Sequence, residues 1–298
     1  MKTLTAFYDL AVGPVSYDVI TWLIRAMLAR EDAGCEALHV VVVPNAAGVD
    51  GMFRDKLALY DADEMHWRLW QLVLPACRLA GATVTLATDW AQARKLAQGD
   101  VWPANWCHQT LADRVRAHMW GPIVAAARAG RTIPTLQASG HARKHVRSLF
   151  ARSGKPVVTC TLRETYEPAR NADLAAWDTF RRSIEDRWQV WVLRDTARAL
   201  EAGAGYGELV LDLRLALYQE AAVNLHCHGG PAALSWFSGA PFLAFGVGLP
   251  EPYAVVHRSQ GMAIGEQLPW ATPQQRLIYA PPSADILARE FAAWCAGR

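Results

Sequence analysis

The clearest pattern in the chain is the segment 217–246, LYQEAAVNLHCHGGPAALSWFSGAPFLAFG. It contains two short segments predicted as strands, 223–225 and the apolar run 241–246, and between them a Gly-Gly-Pro turn followed by small and apolar residues. Continuous apolar runs are typical of strands that are covered on both faces, and a helical segment between two such runs is typical of a parallel sheet. The segment therefore predicts a strand–turn–helix–strand unit.

The same alternation extends over most of the 298 residues and predicts an α/β fold. At about 150 residues per domain, the length fits two domains. We expect two Rossmann-like domains, at 1–150 and 151–298, with parallel sheets that face one cleft. The stretch 132–156 is expected to connect them. The predicted strands are 3–8, 38–43, 84–87, 156–162, 189–193, 223–225, 241–246 and 276–279; the predicted helices are 16–28, 63–79 with a kink near Pro75, 90–97, 109–129 with a break at Gly121, 174–187, 212–222, 231–239 and 283–295.

The composition excludes several classes of protein. With 52% hydrophobic and 19% charged residues, the chain is too apolar to be disordered. No apolar run is long enough to span a bilayer. Asp9 and Pro14 interrupt the N-terminal region too early for the apolar core of a signal peptide, so we expect a cytoplasmic protein with reduced cysteines. A net charge of +2 and the lack of a recognition motif argue against nucleic acid as a partner.

One segment departs from this even charge balance. From Arg114 to Arg163 there are ten basic residues and no acidic ones. Such a segment attracts anions, and arginine suits phosphate. An Arg-rich composition with a solvated helix face explains it equally well. Peripheral association with a membrane is a third reading that the residues permit but do not require.

In open α/β sheets the ligand lies beyond the carboxyl ends of the strands, and Arg163 directly follows a predicted strand. Its forked guanidinium has the geometry that holds a diphosphate, while pairing with Glu164 or Glu167 is the structural alternative. Arg170 and Asn171, a few residues later, are expected to add donors or to begin the next helix.

A second candidate is the turn His228-Gly229-Gly230-Pro231. The two glycines let the backbone approach a ligand closely, and Pro231 suits the first position of a helix, whose N-terminus favours an anion. We expect this turn to complete the diphosphate site with Arg163.

The third candidate is the loop after the first strand. Asp9 is placed to accept a proton from an acceptor hydroxyl, and we predict it as the general base. Gly13, Ser16 and Asp18 complete this predicted acceptor loop, with a structural role for Asp18 at the start of the helix as the alternative.

His226 and His228 form a pair that zinc would accept, but the sequence offers no third ligand. The chain also lacks a Walker A motif, a Gly-rich dinucleotide motif after the first strand and a nucleophile elbow. We therefore expect neither a metal nor a cofactor.

The segments VTCTLRET (158–165) and VWVLRDT (190–196), together with 217–246, resemble the C-terminal half of GT-B glycosyltransferases. The likeness is to heptosyltransferase-like and fucosyltransferase-like enzymes of bacterial surface-polysaccharide assembly. It implies that Arg163 and the Gly229–Pro231 turn hold the diphosphate of a nucleotide-sugar donor, without a metal, for transfer to a glycan or lipid-linked acceptor. Further nucleoside or donor contacts suggested in this half are Arg194, Asp195, Thr196 and Glu220.

Three other functions stay open at this point. A non-catalytic nucleotide-sugar-binding or scaffold protein of the same fold would bind without turnover. A sugar-nucleotide epimerase would consume donor with no acceptor present. A zinc hydrolase would use His226 and His228.

Overall fold

The computed structural model describes residues 1–44, 62–165, 168–194 and 210–297. They divide into two compact units, Met1–Ile123 with Ile133–Leu136, and Val124–Thr132 with Gln137–Arg298. Each unit contains one parallel sheet, of four and five strands, with helices between the strands. The α/β class with two Rossmann-like parallel sheets is thus confirmed.

The first unit is built around a buried central strand. Its sheet has the order β3-β2-β1-β4, and every pairing is parallel. Apolar residues on one side of α1 are buried, as their spacing predicts. The elements are β1 (Thr3–Asp9), α1 (Asp18–Asp32), β2 (Ala37–Val43), α2 (Ala62–Arg68), α3 (Leu74–Leu79), β3 (Thr83–Leu86), α4 (Trp90–Leu96), β4 (Val101–Trp102) and α5 (Leu111–Arg116).

The distortion expected near Pro75 takes the form of a π-helical turn, Leu69–Val73, between α2 and α3. Pro75 has no N–H and therefore cannot donate to the carbonyl of Gln71, four residues earlier. The wider turn lies directly before the proline, where the regular α-helical bond is lost.

The second unit has the strand order β6-β5-β7-β8-β9, again entirely parallel. All residues of β5, β7 and β8 are buried; β8 is entirely apolar, whereas β5 and β7 also contain buried threonine, asparagine and histidine. The helix α6 (Gly121–Arg128) crosses the division, since its residues from Val124 belong to this unit. The other elements are α7 (Gly140–Phe150), β5 (Val157–Thr161), α8 (Leu174–Ile184), β6 (Gln189–Leu193), α9 (Leu211–Glu220), β7 (Val223–Cys227), α10 (Ala232–Trp236), β8 (Phe242–Phe245), α11 (Glu251–Ser259), β9 (Gln275–Ile278) and α12 (Ala284–Ala296).

Three helices differ from the expectation. Part of the stretch 132–156, expected as a connection, forms α7, whose N-cap Ser139 accepts from the amide of Ala142. α11 lies in a region expected to be irregular, and α10 is only five residues long where 231–239 was expected. Within the described ranges, no helix has the length and apolarity needed to cross a membrane.

Candidate functional site

The carboxyl edge of the second sheet brings two of the three candidate segments together. β5 and β7 are parallel neighbours, with Thr161 opposite His226. Arg163 lies two residues beyond the end of β5, and the glycine turn begins two residues beyond the end of β7. Side chains from both segments therefore meet at one edge, as the topology of parallel sheets requires.

Arg163 lies directly against Gly229. A Cβ atom added to Gly229 would be 2.8 Å from Nη1 of Arg163, a distance that real side chains do not reach. The guanidinium thus occupies the space that a side chain at position 229 would take. A methyl group at this position would therefore require the Arg163 side chain to move.

The turn supplies two backbone donors beside this guanidinium. In the part of the chain that the structure describes, no hydrogen bond uses the amide of Gly229 or Gly230. The amides of Ala232 and Ala233 already donate to the carbonyls of Gly229 and Gly230, at 3.1 Å each. Because α10 has only five residues, it does not provide the dipole of a long helix. The donors available to an anion at this turn are the two glycine N–H groups and Arg163.

His228 stands at the start of the same turn. Its imidazole stacks on Trp236 with ring centroids 5.8 Å apart and an interplanar angle of 12°. Burial, followed by the electrostatic effects of Arg170, His257 and Arg163, lowers the pKa of His228 to about 3. The imidazole is therefore neutral at pH 7 in the unliganded protein.

Arg170 lies near this group, whereas Asn171 has a structural role. The Arg170 guanidinium is 3.6 Å from the centroid of the Tyr253 ring, a cation–π contact. Asn171 accepts from the Thr165 amide at 2.7 Å and donates to the Thr165 carbonyl at 2.8 Å, which closes the loop after β5. It does not cap α8, because Asp173 does so.

The remaining donor-site candidates are placed differently from one another. Arg194 follows β6 at the same edge, and its guanidinium binds both carboxylate oxygens of Glu164, at 2.8 and 2.5 Å. Glu220 ends α9 just before β7 begins, at the opposite edge, where it accepts from Arg143 of α7 at 2.5 Å. The structure therefore does not bring Glu220 to Arg163. Asp195 and Thr196 lie outside the described residues.

Two residues of α11 that the sequence does not predict for this site, His257 and Tyr253, also lie near this group. The Tyr279 hydroxyl donates to the Glu266 carbonyl at 2.5 Å, so its oxygen is left to accept from Nε2 of His257, 3.1 Å away. This bond places the proton of neutral His257 on Nε2. Burial lowers the pKa of His257 and raises that of Tyr279 to about 12.

In the first unit, Asp9 ends β1 and is almost completely buried. Its Oδ2 forms an ion pair with Nη1 of Arg114, and its Oδ1 accepts from the amide of Ala11 at 2.9 Å. Arg114 also lies over the ring of Trp90, 5.1 Å from its centroid. The carboxylate predicted as a base is thus held in place through both of its oxygens.

The rest of the predicted acceptor loop packs tightly. A Cβ on Gly13 would lie 2.5 Å from Cε1 of His118 and 2.9 Å from Cζ of Tyr8, so only glycine fits. Burial lowers the pKa of His118 to about 4. Ser16 donates to the carboxylate of Asp18 at 2.6 Å, in the turn where α1 begins.

His226 lies on β7, and His228 directly follows the end of that strand. His226 is fully buried, and its Nε2 shares a hydrogen bond with the Ser235 hydroxyl at 2.7 Å. Across the described ranges, no three His, Cys, Asp or Glu side chains lie together in a way that would hold a metal ion.

No protein-family model and no curated protein matches the sequence. Solved structures do match the fold. The glycosyl transferase family 9 structure from Veillonella parvula DSM 2008 has a TM-score of 0.52 at 9% identity, over 100% of this chain and 98% of that one. The ADP-heptose LPS heptosyltransferase II of E. coli has a TM-score of 0.48 at 12% identity, over 100% and 99%. At such identities the first match shows a shared fold, in agreement with the expected likeness to heptosyltransferases.

Proposed function

We propose that this chain is a glycosyltransferase that moves a sugar from a nucleotide sugar to a hydroxyl of a glycan or lipid-linked acceptor, without a metal ion. The observation that carries the proposal is the Arg163 guanidinium packed against Gly229, beside two glycine amides that make no hydrogen bond among the described residues. A forked cation with adjacent backbone donors is the chemistry that binds a diphosphate.

The reaction needs charge to be stabilised on the leaving group. The acceptor oxygen attacks the anomeric carbon of the sugar, and the bond from that carbon to the diphosphate oxygen breaks with its electron pair. The leaving diphosphate gains negative charge, which Arg163 and the amides of Gly229 and Gly230 would neutralise. Preorganised donors of this kind contribute about two to three orders of magnitude in rate for each donor.

The acceptor must lose a proton, and we propose Asp9 as the group that receives it. Arg114 orients the carboxylate at the end of β1 through an ion pair, and a general base needs such positioning. In this role the proton moves to a carboxylate oxygen of Asp9, and Arg114 remains the partner of that carboxyl group.

The test is a donor-consumption assay with UDP-, GDP-, ADP- and CMP-linked sugars, with glycan and lipid-linked acceptors supplied or omitted and with EDTA present. We expect one nucleotide sugar to release its nucleotide only when acceptor is present, at a rate that EDTA leaves unchanged. Donor conversion without acceptor would instead identify an epimerase. Donor binding with no turnover under any condition would identify a binding or scaffold protein.

A further inference from the structure

We propose that binding of a nucleoside diphosphate at Arg163 and Gly229 causes His228 to take up a proton from solvent, so that this imidazole becomes a charged donor to the diphosphate only in the complex. The inference rests on the proposed function, because it concerns the ligand of the same site.

The His228 ring is held in place by contacts that use no hydrogen bond from its ring nitrogens. Its backbone amide donates to the carbonyl of Phe245 at 2.8 Å, and its ring stacks on Trp236. Within the described residues, the imidazole itself makes no hydrogen bond, and Nδ1 is buried. The residue is half-buried and adjoins Gly229. A ring fixed in position with both nitrogens uncommitted is prepared to bind a group that the protein itself does not supply.

The charges around the ring come from three separate elements. Among the described residues, the groups that act on its charge are Arg163 after β5, Arg170 before α8 and His257 on α11. All three oppose its protonation, and with burial they place the pKa of His228 at about 3. The unliganded site thus keeps this histidine neutral while Arg163 and Arg170 carry positive charge.

A diphosphate reverses the sign of this local field. It carries at least two negative charges, which favour the imidazolium and offset the neighbouring arginines. The proton comes from solvent and moves to a ring nitrogen, which then donates to a phosphate oxygen; no covalent bond changes. Since the pKa of His228 is higher in the complex than in the free protein, the affinity rises as the pH falls through the pKa of the complex.

The experiment is titration calorimetry with inorganic pyrophosphate, ADP, UDP, GDP and CDP, in buffers of different ionisation enthalpy. Wild type is compared with His228→Gln and His228→Asn, which keep a polar amide but cannot titrate near neutral pH. His145→Gln, at an exposed histidine of α7, is the matched control. Protonation of the ligand's own phosphates is common to all four proteins and cancels in the comparison.

We expect wild type and His145→Gln to take up more protons per ligand than the two His228 variants, by up to one proton. The ratio of wild-type affinity to variant affinity should increase on acidification, by up to about tenfold per pH unit. Equal proton uptake and equal pH slopes in wild type and the His228 variants would overturn this inference and leave the proposed function standing. If wild type bound none of the five ligands, the proposed function itself would be overturned.

Discussion

At the scale of single residues, the proposed diphosphate site depends on the close contact between Gly229 and the Arg163 guanidinium. A methyl group at this position would meet the Arg163 guanidinium at 2.8 Å and displace it. We therefore expect Gly229→Ala to weaken nucleoside diphosphate binding by about tenfold or more, the equivalent of about 1.4 kcal/mol. Calorimetric titration measures this loss.

Gly140→Ala is the matched control for that substitution, because a Cβ there has no heavy atom within 4 Å. It should bind ligand as wild type does. If Gly229→Ala kept full affinity, the diphosphate would have to lie away from Arg163, contrary to our assignment.

Asp9 allows a second prediction at this scale. If it accepts the proton of the acceptor hydroxyl, Asp9→Asn should lower the transfer rate by about 10² to 10⁴. Donor affinity should stay unchanged, because Asp9 and the donor-binding residues belong to different units. Initial rates measured at saturating donor give the comparison, and thermal unfolding checks that loss of the Arg114 ion pair has not unfolded the first unit. An unchanged rate would remove Asp9 from the chemistry.

At the scale of elements, Glu220 joins two helices of the second unit and has no part in the candidate site. It ends α9 and accepts from Arg143 at 2.5 Å, with Arg147 3.5 Å away, both on α7. Its side chain is 11% exposed. Glu220→Gln should lower the free energy of unfolding by about 1 kcal/mol and leave ligand affinity unchanged.

Denaturant unfolding tests this, with Glu185→Gln as the control. Glu185 pairs with Arg181 one turn earlier on the protein surface, and such pairs contribute only a few tenths of a kcal/mol, about 0.3–0.5. Equal losses in the two variants would mean that α7 is not held by Glu220. A loss of ligand affinity in Glu220→Gln would mean that Glu220 takes part in ligand binding.

An element can be predicted from the sequence when the pattern of apolar residues matches the residues that are buried. Three strands of the second sheet, β5, β7 and β8, are completely buried, and the apolar residues that they contain reveal them. In α11 the pattern misleads: Val255 and Val256 are 54% and 52% exposed, whereas His257 is 3% exposed. The buried face of α7 consists of Ala142, Val146 and Phe150 among basic residues, a stripe too narrow to indicate a helix.

The candidate site follows the same rule. Arg163 and the glycine turn were predictable because each directly follows a strand that the apolar pattern marks. His257 and Tyr253 were not, since they reach the same region from α11, whose periodicity does not identify it. The partner of Asp9, Arg114, is 105 residues away in the chain, and no local pattern relates the two.

At the scale of the whole molecule, buried neutral histidines predict loss of stability in acid. His226 is fully buried, and burial followed by the charge of Arg214 lowers its pKa from 6.5 to about 3. The unfolded chain therefore binds a proton below about pH 6.5 that the folded protein excludes until about pH 3. Stability contributed by neutral His226 is present above pH 6.5 and is lost as the pH falls, by at most about 1.4 kcal/mol per pH unit.

Thermal unfolding between pH 7.5 and pH 4.5 measures this dependence. His226→Asn should be less stable than wild type at neutral pH and should lose less stability on acidification. His145→Gln, at an exposed histidine, should follow the wild-type curve. If wild type and His226→Asn had parallel pH profiles, the acid sensitivity would belong to other groups.

The central claim is that Arg163 holds the diphosphate of a nucleotide, and thermal-shift measurement with UDP, GDP, ADP and CDP tests it most directly. The proteins are wild type, Arg163→Ala and, as the control, Arg187→Ala at an exposed arginine. At a hundredfold excess over Kd, a ligand stabilises the folded state by about 2.7 kcal/mol, a shift of several degrees. We predict such a shift with one nucleotide in wild type and Arg187→Ala, and its loss in Arg163→Ala. No shift with any nucleotide, or an equal shift in Arg163→Ala, would contradict the account.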